Sequence, residues 1–388
     1  MRGFKTIRKQ PTQSQSQSQL QYEVADVLNK LGSKLEDLGL NSWQLRTLFA
    51  LKKCRTSALG GHIDACDECG NISISYNSCR NRHCPKCQGR NREDWIQTRE
   101  TELLPVPYFH VVFTLPEVLN KTALHEPKML YDILFESAWE TLQTFGKNKN
   151  LQMGMIAVLH TWGQNLSLHP HLHCIVPGGG VDESGTWKNL RSDGKFLFPV
   201  KALSKVFRAK FCEKLKDKNL EEYPKIRQSL WEKDWVVFAK KPFGSAKSVV
   251  EYLGRYTHKI AISNHRIRNI DAENVTFDYK DYRQKGLRKQ MTLSHEEFIR
   301  RFTLHILPKR LVKIRHYGFL SSTWKRIKLK KLQQKLGIQP KEKPLPKPFQ
   351  PKCSCCKTGN LVTIAMFDLR GPPKWFLEMS QSQPTPKK

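Results

Sequence analysis

Three histidines alternate with other residues in the run His169-Pro170-His171-Leu172-His173. In an extended strand, residues two apart point to one face. The pattern therefore predicts imidazoles projecting together with Leu172 packed behind them, a ready divalent-metal site. His171 and His173 are its centre, and a third ligand is expected from the preceding strand or the turn. His160, eleven residues before His171, is the first choice, with Gln164 and His169 as alternates. Neutral imidazoles with positions left for water suit Mg2+ or Mn2+ bridged to a phosphate, although imidazole alone would equally accept Zn2+. Downstream, Glu251-Tyr252-Leu253-Gly254-Arg255-Tyr256 sets two phenols four residues apart, on one face of a helix. A phenol with a pKa of about 10 is a poor nucleophile until it loses its proton or meets a phosphorus made electrophilic by a metal. On its own, such a pair is more often core than catalytic.

A second cluster of chemistry-bearing residues lies nearer the start. Cys66-x2-Cys69 and Cys84-x2-Cys87 are two knuckles separated by fourteen residues, a spacing that predicts one structural zinc held by four thiolates. Cys54, His62, Cys79 and His83 supply four further ligands, which predicts a second, interleaved zinc. Arg55, Arg80, Arg82, Lys86, Arg90 and Arg92 surround these ligands and would give the module a basic coat for DNA phosphates. Near the other end, Cys353, Cys355 and Cys356 form an imperfect knuckle without visible partners.

Composition narrows the partner. The 388 residues hold 66 Lys and Arg against 35 Asp and Glu, a formal charge of +31, which calls for a polyanion. Because the bases are spread along the chain and not gathered on one amphipathic helix, nucleic acid is favoured over a membrane surface. No apolar run reaches the roughly 18 residues of a membrane span, and no secretory signal precedes the polar Gln/Ser stretch. The reducing cytoplasm is thus the expected compartment, in which eleven cysteines read as ligands and not disulfides.

The elements that must position these groups follow from periodicity. Residues 1–21 read as a disordered leader, and 22–53 as a helical hairpin with Asn41 capping its second helix. Residues 54–104 form the cysteine module and a polar helix that ends at Pro105. From 105 to 325 a catalytic domain is expected, with strands over 109–115, 155–162 and 170–176, the last two forming an antiparallel hairpin. Its helices are expected over 127–145, 202–220 and 246–257, the last carrying the tyrosines. Short strands follow near 235–239, 260–270 and 275–279, then a basic helix beyond Phe298 and a basic linker and tail over 326–388. Strands and helices that mix without regular alternation predict an α+β fold on an antiparallel sheet. Arg283, Arg288, Lys309, Arg310 and Arg315, with Tyr282, Phe302 and Tyr317 interleaved, are candidates for holding single-stranded DNA by charge and stacking.

The histidine run, the stretch YLGRYTHKIAISNH from Tyr252 to His265, the FTLP motif at Phe113 to Pro116 and the cysteine module together resemble the rolling-circle, two-tyrosine HUH transposases of bacterial insertion sequences, the IS91-like family. The resemblance runs from about Leu51 to Phe319, with the motifs in the family's order. It implies an HUH endonuclease domain behind a zinc-binding module, with His171 and His173 as metal ligands. Tyr252 and Tyr256 would attack a DNA phosphodiester, leaving a 5′-phosphotyrosine and a free 3′-OH without ATP. Arg80, Arg82, Lys86, Arg90 and Arg255 join the expected DNA contacts. A plasmid replication initiator or relaxase uses the same groups but is less consistent with the zinc module. A zinc DNA-binding regulator would need neither histidines nor tyrosines, and a zinc hydrolase would need a carboxylate base that the histidine strand lacks.

Overall fold

Alternation of side chains decides which face of the central sheet becomes core. Strand β3 (Tyr108–Thr114) points Val111 and Phe113 one way and His110, Val112 and Thr114 the other. Strands β4 (Gly154–Trp162) and β5 (Leu168–Pro177) divide in the same manner, with Ala157, Leu159, Leu172, Cys174 and Val176 on the apolar side. That side is covered by helices α3 (Pro127–Lys147) and α4 (Val200–Asp217), whose Leu134, Phe135, Phe207 and Phe211 are wholly buried. Fully burying a phenylalanine such as Phe113 contributes about 2–3 kcal/mol, and cutting it to alanine would cost roughly 3–5 kcal/mol.

The computed structural model describes residues 22–87, 95–190, 197–240, 248–249, 252, 254, 257, 259–338 and 351–381. The fold is α+β. Among the described residues its central sheet has five strands in the order β12-β4-β5-β3-β8, with β8 at Val237–Lys240 and β12 at Ile314–Gly318, and β6 (Gly179–Val181) and β7 (Trp187–Asn189) pair apart from it. Every neighbouring pair is antiparallel, and β4 and β5 form the expected hairpin. β4 and β5 slip register between His160 and Trp162, so that Thr161 faces both His169 and Pro170. A bulge there fits a proline that cannot donate to the ladder of a central strand.

The leading helices are as the sequence predicts. Helix α1 (Val24–Leu31) buries Val24, Val27, Leu28 and Leu31, and α2 (Ser42–Lys52) begins where Asn41 accepts from the Gln44 amide at 2.9 Å. They pack on a second sheet of β9 (Ile267–Ile270), β10 (Asn274–Asp281) and β11 (Leu287–Ser294), and on α5 (His295–Thr303), around Phe277, Phe298 and Phe302. Strand β11 occupies a stretch before Phe298 for which no element was expected, and β12 stands beyond Phe298, where only a basic helix was expected. Half-buried Lys289, Met291 and Leu293 alternate along β11, and a lysine among the inward positions hides the apolar pattern. The helix itself starts earlier, at His295, capped by the Ser294 hydroxyl.

The cysteine module is a small sheet of β1 (Gly61–Cys66) and β2 (Ile72–Tyr76), completed by β13 (Leu361–Phe367) from the segment expected to be tail. Residues 95–100 are helical, as the sequence predicts, while the rest of that helix's start lies outside the described residues. Of the tyrosine helix, only 248–249, 252, 254 and 257 are described. Tyr256, Arg255, Arg90 and Arg92 lie outside them.

Candidate active site and cysteine clusters

On the polar face of the central sheet, β4 and β5 set His160 opposite His171 and Val158 opposite His173. Ligand nitrogens of His160, His171 and His173 all lie within 4.8 Å of one another. The ring centroids of His160 and His173 are 4.6 Å apart, and those of His171 and His173 are 4.9 Å apart. His160 also stacks on Trp162 at 4.5 Å. His171 Nδ1 lies 2.6 Å from the His169 carbonyl, a donor–acceptor pair that fixes the ring and turns Nε2 toward the cluster. Burial holds the His171 imidazole down at about 4 and pushes that of His173 lower still, so both are neutral at pH 7, the state a ligand needs. The donor set therefore fits a divalent ion. His169 stands exposed at the bulge, with its ring 5.1 Å from that of His171, and Gln164 lies in the turn with its carbonyl held by the Arg266 guanidinium.

His110 was not among the residues singled out from sequence. It sits on β3, and its Nε2 is 2.8 Å from His173 Nδ1. Its Nδ1 is 3.3 Å from the Tyr252 hydroxyl. The imidazoles of His110 and His173 stack at 5.1 Å with planes 10° apart. A continuous line of polar atoms thus joins the histidine cluster to a tyrosine. The available signal was register: two residues before Val112, which pairs with His173, a histidine on β3 must share the site's face.

The cysteines assemble differently from the expected pairing. Cys54, Cys79, Cys84 and Cys87 form one cluster, and Cys66, Cys69, Cys353 and Cys356 the other. The β1–β2 hairpin is the reason. It carries Cys66 and Cys69 at its turn and brings Cys54 and Cys79 together at its base, where the Arg55 amide donates to Asn77 at 3.0 Å. Six residues of strand, at about 3.3 Å each, separate the two ends. Cys66 and Cys69 thus cannot share an ion with Cys84 and Cys87. His62 and His83 are not ligands of either cluster. His62 Nε2 lies 3.4 Å from an Asp64 carboxylate oxygen, and His83 is buried near Lys313 and His305.

Two family models match the sequence: a putative transposase over residues 154–327 and a transposase zinc-binding domain over residues 25–115. The putative transposase y4qJ of Sinorhizobium fredii (strain NBRC 101917 / NGR234) is 42% identical over 91% of this chain and 97% of its own length. The chain belongs to the IS91 family of transposases. The transposase for insertion sequence element IS801 of Pseudomonas savastanoi pv. phaseolicola is 31% identical over 74% of this chain and 73% of its own. No solved structure matches. Among the described residues of the transposase, no helix is long and apolar enough to cross a membrane.

The cations of this IS91-family transposase divide into two groups. Arg82 donates to the carbonyls of Leu311, Pro308 and Leu307 at 2.6, 2.9 and 3.5 Å. Lys86 pairs with Glu23 and donates to the Cys54 carbonyl at 3.1 Å. Arg315 pairs with Asp132 and lies 4.1 Å over the Phe135 ring. All three thus have contacts within the chain that tie elements together. Arg80, Arg283, Arg288, Lys309 and Arg310 remain exposed. Of the interleaved aromatics, Phe302 is core and Tyr317 stacks on Trp139 at 5.2 Å. Tyr282 is 72% exposed beside Arg283 in the β10–β11 turn, which makes that turn a basic, aromatic tip.

Beside the histidine cluster, Lys313 donates to the Lys259 carbonyl at 2.7 Å and stands 5.2 Å over the Trp162 ring. Desolvation, with the Arg82 charge nearby, pulls its ammonium down to about 7.

Proposed function

We propose that the transposase nicks and rejoins single-stranded DNA at the ends of its element, through a 5′-phosphotyrosine intermediate, and so drives rolling-circle transposition. The observation that carries this reading is the line Tyr252, His110, His173, which connects a nucleophile to a three-histidine cluster. His160, His171 and His173 would hold Mg2+ or Mn2+. When bound, such an ion withdraws charge from a scissile phosphate and raises the electrophilicity of its phosphorus.

The protein's own groups then do the following. With its Nδ1 facing His110, His173 offers Nε2 as the ligand nitrogen and keeps its proton on Nδ1. His110 accepts that proton's hydrogen bond on Nε2, so a neutral His110 carries its own proton on Nδ1 and donates to the Tyr252 oxygen. This polarity favours the phenolate and aims it. Tyr252 gives up its phenol proton to solvent and attacks phosphorus, the bond from phosphorus to the 3′ oxygen breaks, and the leaving oxygen takes a proton from solvent to become a 3′-OH, so that protons balance. The ester to tyrosine keeps the bond energy, so a later attack by a 3′-OH restores a phosphodiester without ATP. Tyr256, four residues on in the sequence, would serve the second cleavage. The tip at Tyr282 and Arg283, with Arg80, Arg288, Lys309 and Arg310, would guide the single strand by stacking and charge.

Incubation with single-stranded DNA spanning the element's ends and Mg2+ or Mn2+ tests the proposal. A covalent protein–DNA band that survives SDS is expected from the wild type and is absent from Tyr252→Phe, Tyr256→Phe. Folded wild-type protein that gives no band with either metal would overturn it.

A further inference from the structure

The second cysteine cluster draws its members from opposite ends of the chain. Cys66 and Cys69 lie within the segment matched by the zinc-binding family model, which ends at residue 115, whereas Cys353 and Cys356 lie far beyond it. We infer that Cys66, Cys69, Cys353 and Cys356 form a tetrathiolate zinc site that clasps the C-terminal segment onto the N-terminal module, in addition to the zinc held by Cys54, Cys79, Cys84 and Cys87.

Distances fit this chemistry. With zinc–sulfur bonds of about 2.3 Å, neighbouring sulfurs of a tetrahedron stand roughly 3.8 Å apart. Sγ of Cys66 and Cys356 are 3.6 Å apart, and those of Cys69 and Cys353 are 3.8 Å apart. A disulfide would need about 2.05 Å. The first cluster has the same edges, with Cys54 to Cys87 at 3.5 Å and Cys79 to Cys87 at 3.7 Å.

The backbone around the sulfurs is built for thiolates. The Cys69 amide points at Cys66 Sγ at 3.5 Å, the Cys355 amide at Cys353 Sγ at 3.3 Å, and the Gly359 amide at Cys356 Sγ at 3.3 Å. Amide donors of this kind stabilise sulfur that carries negative charge. Gly359 is required by this packing, because a Cβ there would stand 2.4 Å from Cys66 Sγ.

The two knuckles also grip one another. The Asp67 amide donates to the Asn360 carbonyl at 3.0 Å, and the Asn360 amide donates to an Asp67 carboxylate oxygen at 2.7 Å. The Glu68 carboxylate accepts from Thr358 Oγ1. From there β13 runs antiparallel to β1, from Leu361 opposite Cys66 to Phe367 opposite Gly61. Four thiols release their protons to water as the ion binds, so no redox partner is needed. Cys355, between the two ligands of its knuckle, is exposed and outside the cluster, which explains the imperfect look of the motif.

Zinc released from the full-length protein by a mercurial reagent, which counts only thiolate-bound metal, tests the inference. Two equivalents per chain are expected in the wild type and in Cys355→Ser, and one in Cys353→Ser, Cys356→Ser. One equivalent in the wild type, or two in the double variant, would overturn it. Alkylation of the native wild type by iodoacetamide, followed by peptide mapping, covers the case in which the double variant misfolds. Modification of Cys355 with protection of Cys353 and Cys356, lost on chelation, is the expected result. Equal modification of all three before chelation would be evidence against the clasp.

Discussion

The histidine cluster and the cysteine module bind their candidate ions by opposite routes. His160, His171 and His173 come from one hairpin, where a two-residue period and a short turn bring the ligands together. In the module, ligands adjacent in sequence are driven apart by a hairpin and completed by residues nearly three hundred positions away. Local geometry sets the first site, and chain topology sets the second. The histidine face should consequently tolerate loss of its ion as a folded sheet, while the module should not outlast loss of its thiolates.

The largest effect expected from that contrast is in the module. Structural zinc supplies on the order of 10 kcal/mol of folding free energy, so Cys54→Ser should open the hairpin base and expose residues 54–87 to protease. His62→Ala, by contrast, should keep both zinc equivalents and wild-type digestion. Equal zinc loss in the two variants would favour the interleaved pairing over the one seen here. In the histidine cluster, His171→Ala with His173→Ala should lower DNA cleavage by several kcal/mol, on the order of 10³-fold. The melting temperature should fall little. A variant that unfolds would erase the distinction between the two sites.

Between these extremes lies His305, buried with Nδ1 near Thr161 Oγ1 at 3.2 Å and Nε2 near the Leu166 carbonyl at 3.1 Å. Desolvation depresses its folded pKa from 6.5 to about 4. Unfolded chains therefore bind this proton first as the pH falls. The His305 contribution is complete above about pH 6.5 and lost progressively down to pH 4, by roughly 3 kcal/mol. Thermal melts of wild type and His305→Gln across pH 7.5 to 4.5 should converge toward acid, and parallel curves would remove His305 as the cause.

The smallest expected effect falls on His110, whose two nitrogens can be tested apart. A glutamine amide reaches the position of Nε2 beside His173, and an asparagine amide that of Nδ1 beside Tyr252. His110→Asn should weaken Mn2+ binding, measured by calorimetry, by about 10–100-fold. His110→Gln should keep that affinity within about threefold and lower the single-turnover rate of adduct formation with KM unchanged. Wild-type behaviour of both variants would show that the contacts are only packing.

Local pattern carried much of this molecule into view. The His171 and His173 alternation, the Asn41 cap, the α3 periodicity and the β4–β5 hairpin each depend on residues within a dozen positions of one another. His110 was hidden because its role depends on β3 lying beside β5, which no local spacing reports. The cysteine pairing failed for the same reason, since two knuckles of proper spacing invite one another until a hairpin intervenes. Arg82 and Arg315 show a further limit. Charge counts register their presence, but only the fold reveals carbonyls and a carboxylate consuming it.

Strand β13 also links the fate of the module to residues far downstream of it in the chain. A translation product that stopped before residue 351 would keep every residue of the matched zinc-binding segment and of the histidine site, yet would leave β1 with an open edge and Cys66 and Cys69 without partners. Exposed strand edges recruit other chains, so truncated copies of such a gene would yield aggregating protein in place of a smaller working enzyme. Loss of residues 351–367 would thus be felt first in the module around β1.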